Sequence, residues 1–523
     1  MSSTGSLALL TDLYQLTMAY GYWARGRGGR RAIFHLSFRK APFAGGYAVA
    51  AGLQPALEYI SNYHFEPSDL EYLATLMGND GKPLFPNEFL DYLSRLRLSL
   101  DVDAMPEGTV VFANQPLLRV EGPLLECQLV ESTLLNLINY QTLIATKASR
   151  VVAAAQGDTV LEFGLRRAQG INGALAASRA AFIGGCQATS NVLAGKLFGI
   201  PVKGTHAHSW VMSHDSELEA FDEYSQAMPN NCVFLVDTYD TLRGVRRAIE
   251  VGRRLRDRGH RMVGIRLDSG DLAWLSIQAR ELLDEAGFPD AVIVASNDLD
   301  ERLIQSLKLQ DAKITVWGVG TKLVTGQDQP ALGGVYKLSA IAEERSTDRS
   351  DAHAPSGGRG SLPEVTLGRE EIDDIVWRPV MKLSEQPIKN SLPGKLQVRR
   401  FYRADGSAMS DMIYNEWDPC LEPYSIVDPE DPTRRTSCRG QTSFRDLLLP
   451  VMRTGKLCVG TPTLLEIQRL ATRELTTFHS GIRRFDHPHR YPVGFDPRLH
   501  DLRLRLMQES RADARAEHGE FLP

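Results

Sequence analysis

Between Thr159 and Thr321 the chain repeats one unit six times: a short apolar run, a polar or glycine-rich break, then a helical pattern. The runs are Val160–Phe163, Ile200–Val202, Val233–Val236, Met262–Ile265, Ala291–Val294 and Ile314–Val316. Apolar strands alternating with helices at a spacing of roughly 30 residues predict βαβ units and a parallel sheet. With this many units a closed or nearly closed barrel is the economical architecture, and barrel sites sit at the C-terminal strand ends. Those ends carry chemistry here: Arg166-Arg167, Thr205-His206-Ala207-His208, Asp237, Arg266 with Asp268, Ser296-Asn297, and Gly318-Val319-Gly320-Thr321.

The chain has 523 residues, too many for one ordinary core, so two or three domains are expected. Residues 1–135 have a different grain. Leu10 to Met18 starts a helix that Thr11 or Asp12 can cap, with Leu13, Leu16 and Met18 beginning an apolar face. Ala32–Phe38 alternates as a half-buried strand, and Thr109–Phe112 with Leu117–Val120 reads as a hairpin. Gln54–Asn62 reads as a core-facing helix, and Leu129–Ala155 as a long helical connection. The expected fold class is therefore α/β: an irregular TIM-like (β/α) barrel over 136–385, plus an α+β domain built from N-terminal and C-terminal segments. Residues 343–374 turn to Ser, Gly, Arg, Asp and Pro, which cannot bury a core and predict a mobile surface insertion. Residues 386–487 are expected to return to the N-terminal domain, followed by a polar extension over 488–523.

Composition excludes several classes. An apolar content of 43% and a charged content of 24% are those of a soluble globular protein. A net charge of −5 argues against nucleic acid as a partner. No window approaches the ~18–20 apolar residues of a membrane span, and Met1 to Ser6 carries no secretory signal. Six scattered cysteines without a Cys-x-x-Cys pair predict reduced thiols and a cytoplasmic setting.

At the strand ends, Arg266 suits a planar carboxylate because its fork donates two parallel hydrogen bonds. Asp268 beside it suits ribose hydroxyls or a metal ion, and the bland alternative is a buried Arg–Asp pair at the rim. Gly318-Val319-Gly320-Thr321 reads as a phosphate cradle, since two glycines let backbone N–H groups approach an anion and Thr321 adds a hydroxyl. A plain turn is the competing reading. Of His206 and His208, only one is expected to face the cavity. The pair could be structural, a metal pair, or an imidazole nucleophile that accepts a phosphoryl group. A metal hydrolase would need more histidines at later strand ends, which instead carry Asp237, Asp268, Asn297 and Gly320. Asp237 itself reads as strand end plus helix cap.

Seven stretches, in order along the chain, together resemble the nicotinate phosphoribosyltransferase family of type II phosphoribosyltransferases. They are Leu10 to Met18, Glu162 to Gly170, Gly204 to Ser209, Arg266 to Asp271, Gly318 to Thr321, Leu332 to Leu338 and Lys382 to Ser384. The resemblance implies transfer of phosphoribose from phosphoribosyl pyrophosphate to nicotinate. The products would be nicotinate mononucleotide and pyrophosphate, coupled to ATP hydrolysis through a phosphohistidine, in NAD salvage. It implies Mg²⁺ or Mn²⁺ carried mainly by substrate phosphates, with no protein metal ligands assigned, ATP as co-substrate, and a homodimer.

The resemblance also implies roles. Tyr14 corresponds to a tyrosine that stacks on the pyridine ring in a neighbouring subunit's site. Thr205 corresponds to a nicotinate contact, and His208 to the histidine that ATP phosphorylates. His206 falls at a variable position. Arg266 corresponds to the reader of the carboxylate and Thr321 to a phosphoribosyl pyrophosphate contact. Arg166 and Arg167 are implied anion contacts. Asp268 counts with His208 and Arg266 as catalytic, and Ser269, Gly270, Gly318, Gly320 and Ser384 as substrate-binding. Two rivals stay open: a sister enzyme acting on nicotinamide, and a non-enzymatic barrel that binds phosphoribosyl ligands. Turnover of acid against amide decides the first, and pyrophosphate release by the purified protein decides the second.

Overall fold

The computed structural model describes residues 6–343, 375–386, 389–418, 420, 422–438 and 443–518. Its centre is the Glu131–Ala155 helix, which is apolar around most of its circumference and serves two cores. Leu134, Leu137, Ile138 and Leu143 face the N-terminal core, while Ile144, Ala145, Ala148 and Val151 pack into the barrel. Burying apolar surface on both sides fixes the barrel against its neighbour.

The repeat forms one six-stranded parallel sheet, in the order Ala188–Thr189, Thr159–Glu162, Val316–Val319, Val292–Ala295, Gly264–Leu267, Val233–Leu235. The sheet curls without closing. Ile200–Val202 contributes a single parallel bridge, Thr189 to Val202, and the two-residue strand Ala188–Thr189 takes the expected place beside Thr159–Glu162. Two strands also run further toward the mouth than their apolar runs, so that Arg266 and Gly318 lie inside strands. Ladder hydrogen bonds hold polar residues as readily as apolar ones once neighbours are in register.

A seven-stranded antiparallel sheet joins distant parts of the chain. Arg31–Phe38 pairs with Leu118–Pro123 on one side and with Gly334–Ala342 on the other, and Leu449–Arg453 pairs with Asp101–Ala104. The half-buried expectation for Ala32–Phe38 gives way to burial on both faces, because Phe34 stacks on Tyr336 and the His35 Nε2 accepts the Leu396 N–H at 3.3 Å. The expected hairpin does not form. Val110–Val111 pairs with Ala48–Val49, and the link to Leu118 is pinned elsewhere: buried Gln115 donates to Asp411 Oδ2 at 2.6 Å, and the Asn114 N–H to Phe38 O at 2.7 Å.

In the Leu13–Ala24 helix the buried residues are Gln15, Leu16 and Ala19, while Leu13 is exposed. Asp12 holds the cap position but accepts from Ser132 Oγ at 2.6 Å instead of from the helix end. The Leu53–Ser61 helix packs on the core through Ala56, Leu57, Tyr59 and Ile60. Residues 395 onward build a third sheet, to which the polar tail adds Val493–Phe495, parallel to Ala408–Asn415, before the Pro497–His518 helix. All six cysteines are free thiols. Among the described residues no helix is long and apolar enough to cross a membrane.

Residues 344–374, the bulk of the expected insertion, lie outside the described residues. Their flanks do not. Ala342 pairs with Trp377, and the Glu343 N–H donates to Val376 O at 2.8 Å, so the two ends meet in an antiparallel pair. Deleting 345–373 and joining the ends by a short turn is expected to leave a soluble protein melting within a few degrees of the full chain. Loop closure changes by only about 0.6 kcal/mol per doubling of length. Insolubility or a collapsed melting temperature would make the segment structural.

Candidate active site at the barrel mouth

A cavity of about 480 Å³ opens at the C-terminal strand ends. It is lined by Phe163 and Leu165 to Arg167, by Gly204 to His208, by Arg266 and Asp268, by Ser296 to Asp298, and by Gly318, Gly320 and Thr321.

Arg266 is its best-ordered cation. Nε donates to Ser296 Oγ at 2.8 Å, Nη1 to Thr205 Oγ1 at 3.0 Å and Nη2 to Asp268 Oδ1 at 3.0 Å. These bonds use three of the five guanidinium donors and leave two for a ligand. Ser296 Oγ also donates to Asp268 Oδ1. Burial pushes the Asp268 carboxyl up, but the Ser296 hydrogen bond and the Arg266 charge outweigh it and hold it below the usual carboxylate range. The ion pair of the bland reading is present, and both of its members line the cavity.

Asp237, read as a simple strand end and cap, supports this loop. Its Oδ2 accepts the Asp268 N–H at 2.8 Å and the Ser269 hydroxyl at 2.6 Å, while its buried Oδ1 has no partner. Ser269 is thus turned onto Asp237 and does not line the cavity. Gly270, at φ +80°, turns the chain into the Leu272–Glu285 helix, whose cap is Asp271. Ser269 and Gly270 shape the mouth from behind.

Both histidines touch the cavity, contrary to the expectation that only one would. His206 is buried, its Nε2 accepts the Leu235 N–H at 3.2 Å, and burial lowers its pKa to about 4, so the ring is neutral. His208 opens the short His208–Met212 helix and is half exposed. Its Nδ1 lies 3.1 Å from Thr238 Oγ1, and its Nε2 faces Asp268 Oδ2 at 3.9 Å.

Arg166 and Arg167 form an exposed turn at the rim. Below it the buried Glu162 accepts from the Gly164 N–H, from Ser178 Oγ at 2.8 Å and from Thr189 Oγ1 at 2.5 Å. A Cβ on Gly318 would lie 2.6 Å from the Phe163 ring, so the glycine makes room for that ring beside Arg266. Gly320 precedes Thr321 at the start of the Thr321–Val324 turn.

Tyr14 and Ser384 do not reach this mouth within one chain. Tyr14 is 49% exposed on its helix. The Ser384 N–H donates to Asn390 Oδ1 at 2.8 Å, and Asn390 lines a separate pocket with Arg39, Lys337 and Lys389.

From the sequence, Asp237 is expected only as strand end and cap, and Phe163, Thr238, Ser296 and Asn297 have no role assigned. Asn297 at φ 103° and Asp298 at φ 41° hold left-handed conformations at the rim, where non-glycine residues are uncommon. The signal available was their position directly after a strand.

Three family models match the chain: the nicotinate phosphoribosyltransferase N-terminal domain over residues 9–139, the family's own model over 159–348, and its C-terminal domain over 395–503. A nicotinate phosphoribosyltransferase of Bacillus subtilis is 42% identical over 515 residues, covering 96% of this chain and 97% of that protein. The chain belongs to the nicotinate phosphoribosyltransferase family. A human nicotinate phosphoribosyltransferase is 34% identical over 551 residues, with 94% of this chain and 95% of that protein covered. The crystal structure of human nicotinic acid phosphoribosyltransferase superposes with a TM-score of 0.78 at 31% identity, covering 95% of this chain and 99% of that one. The expected family and its barrel-plus-α+β fold are thereby borne out, with the barrel left open along one side.

Proposed function

We propose that the mouth around Arg266, Asp268 and His208 carries out the family's reaction: transfer of the 5-phosphoribosyl group from phosphoribosyl pyrophosphate to nicotinate, coupled to ATP hydrolysis, in NAD salvage. The pyridine nitrogen of nicotinate attacks the anomeric carbon, the bond from that carbon to the pyrophosphate oxygen breaks, and pyrophosphate leaves with the electron pair. The nitrogen is already a nucleophile, so the site needs no strong base and mainly orients two anions. Arg266 holds the nicotinate carboxylate with its two open donors, beside Thr205. Arg166, Arg167 and the amides at Gly320-Thr321 meet the phosphates, where negative charge grows as the bond breaks.

Mg²⁺ or Mn²⁺ arriving on the pyrophosphate would neutralise part of that charge. The carboxylate of Asp268, which lines the cavity, would be a suitable ligand there, and among the described residues no group of three or more His, Cys, Asp or Glu gathers to hold a metal alone.

With Nδ1–H donated to Thr238, the His208 Nε2 lone pair is free for the γ-phosphorus of ATP. The bond to the ADP oxygen then breaks, and water later releases phosphate from the phosphohistidine. A dianion at that position shifts affinities between the halves of the cycle.

The observation that carries this reading is the convergence of Arg266, Asp268 and His208 on one cavity in a chain of this family. Labelling with γ-phosphate-labelled ATP is expected to give an acid-labile adduct, lost in His208→Ala and still formed in His206→Ala. An adduct that survives His208→Ala would overturn the assignment. His208→Ala should keep slow transfer without ATP coupling, because His208 does not touch the transferred bond.

A homodimer completes the site in this reading, with Tyr14 and the Lys382–Ser384 stretch of one copy entering the mouth of the other. Support comes from exposed apolar residues at both ends of such a contact: Leu10 and Leu13 beside Tyr14, and Ile171 and Val192 near the mouth.

A further inference from the structure

The open barrel has a seam. Pairing runs from Val233–Leu235 round to Ala188–Thr189, and the Thr189–Val202 bridge, with the Lys203 N–H on Thr189 O at 3.0 Å, adds the next stretch of chain. Between that stretch and Val233–Leu235 no backbone ladder occurs among the described residues. Side chains link the two across the seam: the His206 ring accepts the Leu235 N–H, and His208 Nδ1 lies 3.1 Å from Thr238 Oγ1 at the mouth.

The ring is buried at 8% exposure and packs 4.9 Å from Tyr224 and 6.0 Å from Phe221. The charged groups facing it are Arg266 and His208, and both disfavour a second proton on it. Since Nε2 is the acceptor, Nδ1 carries the hydrogen, which points to Ala207 O at 3.4 Å. The residues on either side do the site's work. Thr205 accepts from Arg266, and His208 meets Thr238. Without the His206 bond the stretch beyond Lys203 would rest on the Thr205–Arg266 and His208–Thr238 contacts themselves, and misplacement by about 1 Å can cost about a hundredfold in rate.

We propose that His206 is a positioning residue: its neutral imidazole replaces a strand pairing across the barrel seam and so sets where Thr205 and His208 stand. It contacts no transferred group. The inference rests on the nicotinate and phosphoryl roles proposed above for Arg266 and His208.

The test compares His206→Phe, which fills the space but strands the Leu235 N–H, with His206→Gln, whose side-chain oxygen can accept it. In purified full-length enzyme, His206→Phe is expected to raise the nicotinate KM and slow labelling of His208 by ATP by about tenfold each, without reducing the final amount of adduct. The KM for phosphoribosyl pyrophosphate, held on the opposite rim, should stay within about twofold, and His206→Gln should recover most of both losses. A His206 that only packs the core would lower the melting temperature equally in both variants and leave the KM ratio unchanged, which overturns the proposal. Nitrogen NMR of histidine-labelled wild-type enzyme is independent of variant folding. A neutral His206 ring with Nε2 as acceptor at neutral pH supports the proposal, and a protonated ring or Nε2–H tautomer overturns it. If His208→Ala still labels, the acceptor assignment fails alone, because the nicotinate KM and the NMR readouts do not use it.

Discussion

Arg266→Ala is expected to lower kcat/KM for nicotinate by about 30-fold to about 5,000-fold, the equivalent of roughly 2–5 kcal/mol for removing one partner of a buried charge contact. Much of that loss is the cost of stranding the carboxylate, and here Asp268 is stranded too, since it takes one Arg266 donor. Arg266→Lys keeps the charge but loses the fork that reaches Ser296, Thr205 and Asp268 at once, so its loss should be smaller but still marked. Any residual turnover of nicotinamide should barely change in Arg266→Ala, because the amide brings no charge for the guanidinium to match. The KM for phosphoribosyl pyrophosphate should change much less than that for nicotinate. Equal losses for acid and amide would make Arg266 a phosphate or structural residue and move carboxylate recognition to Arg166 or Arg167.

The largest expected effect on stability lies far from the mouth. Arg400 is fully buried and donates to both oxygens of Asp411, at 2.9 and 2.7 Å, to Glu474 Oε2 at 2.9 Å, and to Val110 O at 2.8 Å. Asp411 is fully buried as well and also accepts from Gln115 and from Tyr491 at 2.8 Å. This cluster ties the third sheet, the Leu464–Thr477 helix and the Val110–Val111 strand of the N-terminal region together. Arg400→Met preserves much of the volume but leaves the buried Asp411 without its counter-charge and Glu474 with Arg445 alone. It is expected to cost about 3–5 kcal/mol in denaturant unfolding, with near-normal nicotinate turnover per folded molecule at low temperature. A loss below about 1 kcal/mol would mean that water or a shifted side chain replaces the guanidinium.

The barrel was legible because its signal is local. Five apolar runs of the repeat lie in or against paired parallel strands, and the polar residues after them line the mouth, except Asp237, which turns onto the Asp268 loop. Ala188–Thr189 escaped notice because two small or polar residues carry no periodicity, and their strand identity comes entirely from Glu162 and Val202 on either side. The supposed hairpin failed for the same reason: two strands close in sequence found better partners at Ala48–Val49 and Arg31–Phe38.

The site divides in the same way. Residue chemistry and order marked the candidate side chains, since a fork suited to a carboxylate, an imidazole able to accept a phosphoryl group and a hydroxyl beside a glycine are properties of residue type. The sequence could not say that Asp237 holds the Asp268 loop, that Gly318 clears space for Phe163, or that His206 spans the barrel seam while its neighbour His208 faces Asp268 across the cavity. Each of those depends on a partner at least 29 residues away or on the absence of a ladder bond, and such facts exist only once the strands have paired. Local pattern determined the barrel, the motifs and the family; long-range pairing alone decided which of the candidate side chains meet at the mouth and which hold them in place.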